Sequence, residues 1–196
     1  MHAYIVLSLL VGARTEELRA LTWSHVDLEG KPATGATPPV PPVIMVWRSV
    51  RAGADTKTKK SRRTLALPQR CADALRAHRV LQEQAKRMAG RRWQDNDLVF
   101  PSSVGTPADA SHMRRSFRKV VESAGLDPGQ WTPRELRHSF VSLLSDAGVP
   151  VEHISRLVGH SGTMTTETVY RKQIRPVILE GADAMNRIFP DGKPDA

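Results

Sequence analysis

Cysteine is almost absent from this 196-residue chain: Cys71 stands alone, which excludes a disulfide framework and a cysteine-based zinc site. A reducing compartment fits. Aromatic residues make up only 5%, too few for a platform that stacks the bases of a single strand. Long apolar runs are missing too. The longest, Ala3 to Val11 with Ser8 inside it, is about half of what spans a bilayer. It has no basic n-region and no small-residue cleavage site, so a buried helix is expected rather than an anchor or signal peptide. Acid is in short supply: 20 Asp and Glu stand against 29 Lys and Arg, for a net charge of +9 and a pI near 10.3. A polyanion is therefore the first partner to consider, and an anionic membrane surface the second. The 40% hydrophobic content suffices for one domain with a core and is short for two. A soluble, cytoplasmic protein is expected.

No internal repeat is visible. Tyr4 to Val11 reads as a helix broken by Gly12 and Ala13, and Thr15 caps a second helix ending near Trp23, which leaves Arg14 at the turn. Gly30 to Pro42 is a Pro- and Gly-rich loop. Val43 to Val50 and Arg63 to Leu67 read as strands of a hairpin with a lysine-rich tip. Pro68 to Arg91 is a long helix with Ala72, Leu75, Leu81, Ala85 and Met88 on one face. Asp97 to Phe100 reads as a short strand. Ala110 to Ala124 is a helix with Met113, Phe117, Val120 and Val121 inward, closed by Gly125. Thr132, Pro133 and Glu135 form a capping box that opens a helix with the stripe Leu136, Phe140, Leu143, Leu144 and Ala147. Gly148 ends that helix, and Val151 to Val158 forms the next, stopped by Gly159. A short helix carries Tyr170, and a last one runs from Pro176 to Phe189. The expected fold is mostly α with a small antiparallel β-sheet.

Polar residues gather at element edges: Arg14 at a turn, Lys57 at the hairpin tip, Arg134 and Arg137 at i and i+3 in one first turn, His160 after Gly159, and Tyr170. Each has an ordinary reading when taken alone. Arg14 can pair with Glu17 on the surface, Lys57 belongs to a solvated run with Lys59 and Lys60, His160 can cap a helix, and Tyr170 can sit half-buried. Positive charge at a helix N-terminus opposes the dipole, so Arg134 and Arg137 mildly favour an anionic ligand.

Taken in order, the motifs resemble the tyrosine recombinase (phage integrase) family. Gly12-Ala13-Arg14-Thr15-Glu16-Glu17-Leu18-Arg19-Ala20-Leu21-Thr22-Trp23 is similar to the family's first arginine box. Thr56-Lys57-Thr58-Lys59-Lys60-Ser61-Arg62-Arg63 resembles its catalytic-lysine turn. Thr132 to Phe140 is similar to its second-arginine box, and Leu157-Val158-Gly159-His160-Ser161, with Thr165, Thr166 and Tyr170, to its ending. The resemblance runs from about Leu7 to Arg171. It implies the fold of the family's catalytic domain, an α+β domain over residues 1–190 that begins without the family's N-terminal core-binding domain, with residues 191–196 as a frayed tail.

The resemblance also implies a reaction. Tyr170 attacks a phosphodiester, a 3′-phosphotyrosine forms, and a 5′-hydroxyl leaves; a second strand then reverses the step without metal, cofactor or ATP. Arg14 and Arg137 are implied to clamp the non-bridging oxygens, Lys57 to protonate the leaving oxygen, His160 to bond the phosphate, and Glu17 to orient the pocket. Lys59, Lys60, Arg62 and Arg63 are implied to contact DNA. The family most often has histidine where this chain has Arg134. Arginine cannot act as a base at neutral pH, so Arg134 is expected to supply a third phosphate contact, and the base for Tyr170 is left unassigned. His138 falls on another helical face and is expected to be structural. The implied partner is double-stranded DNA, bound as a homotetramer by a protein that is monomeric when free, with no membrane involved. Two rivals stand beside this reading: a helix-turn-helix DNA-binding module across Leu136 to His160, and an inactive integrase fragment.

Overall fold

The computed structural model describes residues 1–47, 50 and 62–160. Lys57, Lys59, Lys60 and Tyr170, the helices expected around Tyr170 and from Pro176 to Phe189, and residues 191–196 lie outside the described residues.

The first apolar run forms α1 (His2–Leu10), which packs against two later helices, α3 (Gln69–Ala89) and α5 (Pro133–Asp146). A helix this apolar is stable only when enclosed, and Ala3, Tyr4 and Leu7 are accordingly buried in the largest core cluster. Gly12 turns the chain with φ +66°, and a Cβ there would stand 2.4 Å from the Phe140 ring. That glycine answers both a left-handed backbone and a close approach. Then come α2 (Thr15–Arg19) and a 3-10 turn (Trp23–His25), so the second helix is shorter than expected. Its N-cap is Arg14, not Thr15, because the Glu17 carboxylate reaches back to the Arg14 N–H at 2.7 Å.

The sheet has strands β1 (Val26–Asp27), β2 (Val43–Val46) and β3 (Arg63–Ala66), antiparallel and in that order, with Ile44 opposite Leu65. Ile44, Val46 and Leu65 face the core. The strand expected at Asp97 to Phe100 shrinks to one bridge between Thr22 and Leu98. Residues 30–42 form an exposed ribbon tied by bridges at Lys31–Val40 and Thr34–Thr37.

Three apolar stripes need correction. On α3 full burial stops at Leu75; beyond it the covered face carries His78 and Gln82, which bond Val99 O and Leu98 O, while Leu81 and Met88, 62% and 86% exposed, lie off that face. In α4 (Ala110–Ser123), capped by Asp109, Met113, Phe117 and Val121 point inward while Val120 is exposed. In α5, Val141 is buried and Leu143 is exposed, so the buried face is Leu136, Arg137, Phe140 and Val141, with Ala147 also outside. The α5 capping box forms as expected. Helix α6 (Val151–Val158) follows the Gly148 turn and sets Ile154 and Val158 against Phe140 and Val141. Gly159 ends it in the left-handed region, at φ +64°.

Candidate active site

The packing of α5 on α1 and of α6 on α5 brings three distant chain segments to one place. Arg14 comes from the α1–α2 turn, Arg137 from the second turn of α5, and His160 from just past α6. Arg63, at the start of β3, joins them.

Glu17 lies at the centre, with its side chain 4% exposed. Its Oε1 accepts from Arg14 Nη1 at 2.8 Å and from Arg63 Nη1 at 2.9 Å, and its Oε2 accepts from Arg63 Nη2 at 2.9 Å. Arg63 therefore makes the forked, two-point carboxylate contact that its planar donors favour. The C-terminal end of α6 supplies three successive carbonyls. Leu157 O accepts from Arg63 Nε at 2.7 Å, Val158 O from Arg137 Nη2, and Gly159 O from Arg14 Nη2 at 2.9 Å. Arg137 Nη1 also donates to Gly12 O, which ties α5 to the glycine turn. Unsatisfied carbonyls and the negative end of the helix dipole make a helix C-terminus a natural seat for cations.

The electrostatics follow. Burial pushes the Glu17 carboxyl up, but the Arg63 hydrogen bonds and the charges of Arg63 and Arg14 outweigh it and hold its pKa at about 2. Burial, then the charge of Arg14, lowers Arg137 to about 9, which leaves it cationic at neutral pH. Burial, then Arg137, Arg14 and Arg63, lowers His160 to about 4, so its imidazole is neutral. Arg137 Nη2 stands 3.4 Å from His160 Nε2. Because arginine only donates, Nε2 is the acceptor there, and the ring proton of this tautomer sits on Nδ1. Within this inner group three guanidiniums face one carboxylate, and the surplus is positive.

The group opens onto a cleft of about 350 Å³ lined by Arg14, Arg134, Arg137, His138 and His160, among others. Arg14, with a side chain 33% exposed, is the most open of the three guanidiniums in the group. Such a cleft presents converging N–H donors to an anion about the size of a phosphodiester. Among the described residues no cluster of His, Cys, Asp and Glu is arranged to hold a metal ion, and no helix is long and apolar enough to cross a membrane.

Arg14, Glu17, Arg137 and His160 thus come together, and Arg134 stands exposed at the rim. Two expectations change. His138 lines the same cleft as Arg134 and Arg137 instead of facing elsewhere, since one residue further along a helix is only about 100° of rotation; burial and then Arg134 lower its pKa. Arg63, read as a DNA contact, is turned inward, with its side chain 9% exposed; Arg62 beside it is exposed. Arg63's inward course had a signal, because it alternates with Leu65 in β3 and with Leu67 just past the strand, both buried. The carbonyls of Gly12, Leu157, Val158 and Gly159 had none.

Comparison with known proteins adds an independent line. Residues 1–174 match the phage integrase family. An integrase of Streptomyces ambofaciens is 63% identical over 193 residues, covering 98% of this chain and 49% of that protein. A XerC-like tyrosine recombinase of Caldanaerobacter subterraneus subsp. tengcongensis is 27% identical over 198 residues, covering 96% of this chain and 50% of its own. The chain thus spans about half the length of these curated relatives. Among solved structures, XerA recombinase superposes with a TM-score of 0.66 at 25% identity, over 98% of this chain and 59% of its own. The Tn1549 transposon integrase in complex with circular intermediate DNA has the same TM-score at 21% identity, over 95% and 59%, and supports the fold.

Proposed function

From a chain that belongs to the phage integrase family, we propose a site-specific recombinase domain that cuts and rejoins double-stranded DNA through a 3′-phosphotyrosine. The observation that carries this reading is the meeting of Arg14, Arg137 and His160, from three distant segments, at one cleft.

The chemistry is transesterification. The phenolic oxygen of Tyr170 attacks the scissile phosphorus as its proton passes to solvent water, negative charge builds on the non-bridging oxygens, and the bond from phosphorus to the 5′-oxygen breaks, that oxygen departing with a proton. Arg14 and Arg137 stabilise that charge without a metal, and preorganised donors do so at no reorganisation cost. Arg134 adds a third cation at the rim. Lys57 protonates the leaving oxygen. His160, neutral and fixed by Arg137, donates through Nδ1 to the phosphate. The ester stores the energy of the broken bond, so no ATP is needed. Tyr170 is the nucleophile by elimination as well as by motif. The chain has one other tyrosine, and Tyr4 is fully buried on α1, its phenol pushed by burial up to about 12. Lys59, Lys60 and Arg62 contact the DNA backbone, which predicts steeply salt-dependent binding. Action as a homotetramer on DNA, monomeric when free and in the cytoplasm, completes the reading.

The test uses nicked suicide duplexes tiled across the DNA that flanks the gene. The expected result is an SDS-resistant protein–DNA adduct with the parent chain and none with Tyr170→Phe. Binding without an adduct favours the rival DNA-binding module, whose helix-turn-helix would be α5 and α6. Adduct formation gained only on fusion to a core-binding domain from a relative shows that this domain needs a second DNA-binding domain to cleave.

A further inference from the structure

We infer that Arg63 is a positioning residue: its forked guanidinium latches β3 to Glu17 and to the end of α6, and so sets the donor geometry of Arg14 and His160. This rests on the recombinase reading for its consequence but on geometry for its substance.

Three observations support it. First, Arg63 spends its donors on protein. Nη1 and Nη2 hold both oxygens of Glu17 at 2.9 Å, and Nε holds Leu157 O at 2.7 Å. Its side chain is 9% exposed, and unlike Arg14 and Arg137 it does not line the cleft, so those two, not Arg63, are presented to a ligand. Second, the contacts it makes are one step from the working groups. The carboxylate it grips also fixes Arg14 through Nη1 and the backbone N–H, and the helix end it grips supplies the carbonyls held by Arg137 and Arg14 and leads into His160. Third, the approach is tight. A Cβ on Gly159 would lie 2.8 Å from Arg63 Nη1 and 3.2 Å from its Cζ, so the glycine before His160 leaves room for this guanidinium. The latch also joins elements far apart in the chain. Arg63 opens the strand that follows the Lys57 segment in sequence, while Glu17 and Leu157 belong to α2 and α6. A single side chain thus holds the hairpin strand in register with two of the three segments that bear the phosphate-binding groups.

A lysine does not reproduce this, because its three donors radiate from a single nitrogen, whereas the guanidinium delivers Nε, Nη1 and Nη2 from three separate points of one rigid plane. The experiment therefore compares Arg63→Lys and Arg63→Gln with the parent chain. Three quantities are read: single-turnover adduct formation on the nicked duplexes, DNA affinity with its salt slope, and the NMR titration of His160 in DNA-free protein. His160 is faced by Arg137, Arg14, Arg63 and Glu17. A small misplacement of catalytic groups costs about 100-fold in rate, so a fall of that order is expected in Arg63→Gln and an intermediate fall in Arg63→Lys. DNA affinity and salt slope should stay at the parent values. The His160 midpoint should rise in both variants as the site loosens and admits water. The opposite pattern, with adduct formation unchanged at saturating DNA and a salt slope reduced by about 0.9, makes Arg63 a phosphate contact and overturns the inference. If Arg63→Gln does not fold, Arg63→Lys, which keeps the charge, decides alone. If the parent itself forms no adduct, the recombinase reading fails, and the His160 titration decides: a midpoint unmoved in Arg63→Lys overturns the latch, and a raised one supports it.

Discussion

Replacing Glu17 with glutamine isolates the keystone of the cluster. The carboxylate is 4% exposed in its side chain and accepts from the Arg14 backbone, the Arg14 guanidinium and both terminal nitrogens of Arg63. Glutamine keeps the shape, removes the charge, and turns one acceptor into a donor that must face a guanidinium. Two routes give the magnitude. A carboxyl pKa lowered from 4.5 to about 2 corresponds to roughly 3 kcal/mol of preference for the charged form in the folded state. Breaking one partner of a buried ion pair costs about 3–5 kcal/mol. The agreement sets the expected loss at about 3 kcal/mol at pH 7, or a drop in Tm of about 6–12 °C for a chain of this size. The pH dependence has a definite sign. A depressed carboxyl pKa stabilises the fold above the unfolded value and loses that contribution as pH falls from 4.5 toward 2. The gap between parent and Glu17→Gln should therefore be widest at neutral pH and close on acidification. Urea unfolding followed by circular dichroism at pH 7, 4 and 2.5 measures it. A neutral-pH gap below about 1 kcal/mol, or one that persists in acid, refutes the reasoning.

Other outcomes follow from the same geometry. The His160 pKa lies near 4, below the ordinary 6.5, so the unfolded chain binds this proton first between those values and stability falls as pH drops through that window. Discounted for its partial exposure, the contribution is about 1–2 kcal/mol; His160→Gln should flatten thermal denaturation midpoints between pH 7 and 5, and an unchanged slope counts against it. Gly12→Ala combines a left-handed backbone with a Cβ driven into Phe140, for an expected loss of about 2–4 kcal/mol. Gly125→Ala has the same backbone strain and open space, so it should cost only about 1–2 kcal/mol, and equal losses in the two variants would show that the Phe140 ring yields freely. Leu81→Lys and Met88→Lys, on the exposed half of α3, should change stability by no more than about 0.5 kcal/mol in chemical denaturation.

The elements that carry their own signals were readable in advance. The capping box at Thr132, the glycine stops at Gly125, Gly148 and Gly159, and the apolar run of α1 each act within a few residues, and each is where local chemistry puts it. The errors have a common origin. Leu81, Met88, Val120 and Leu143 continue an apolar stripe by helical spacing, but whether such a stripe is covered depends on whether another element lies above it. Past Leu75, the covered face of α3 runs through His78 and Gln82 against Val99, Phe100 and Leu98, which leaves Leu81 and Met88 outside it; along α5, the neighbours α1 and α6 select Val141 over Leu143. The Asp97 to Phe100 segment failed for a similar reason. It has strand composition, but its partner is one turn beside Thr22 rather than another strand, so a single bridge forms.

The site divides along a different line. Arg14, Arg137 and His160 were legible because each occupies a motif with a definite place at a helix edge. Arg63 was placed among the DNA contacts because basic residues in a charged run look alike, although strand alternation put it on the face of Leu65 and Leu67. Least legible was the frame that organises the arginines, because main-chain carbonyls carry no residue identity. Leu157, Val158 and Gly159 present three carbonyls because α6 ends there, and α6 ends there because Gly159 adopts φ +64°. The same terminus concentrates negative dipole where Arg14, Arg63 and Arg137 crowd together, so it offsets their mutual repulsion before any anionic ligand arrives. A left-handed glycine beside a histidine thus has a role that its own side chain does not perform: it sets where a helix stops, and with that the place at which three cations can be held together.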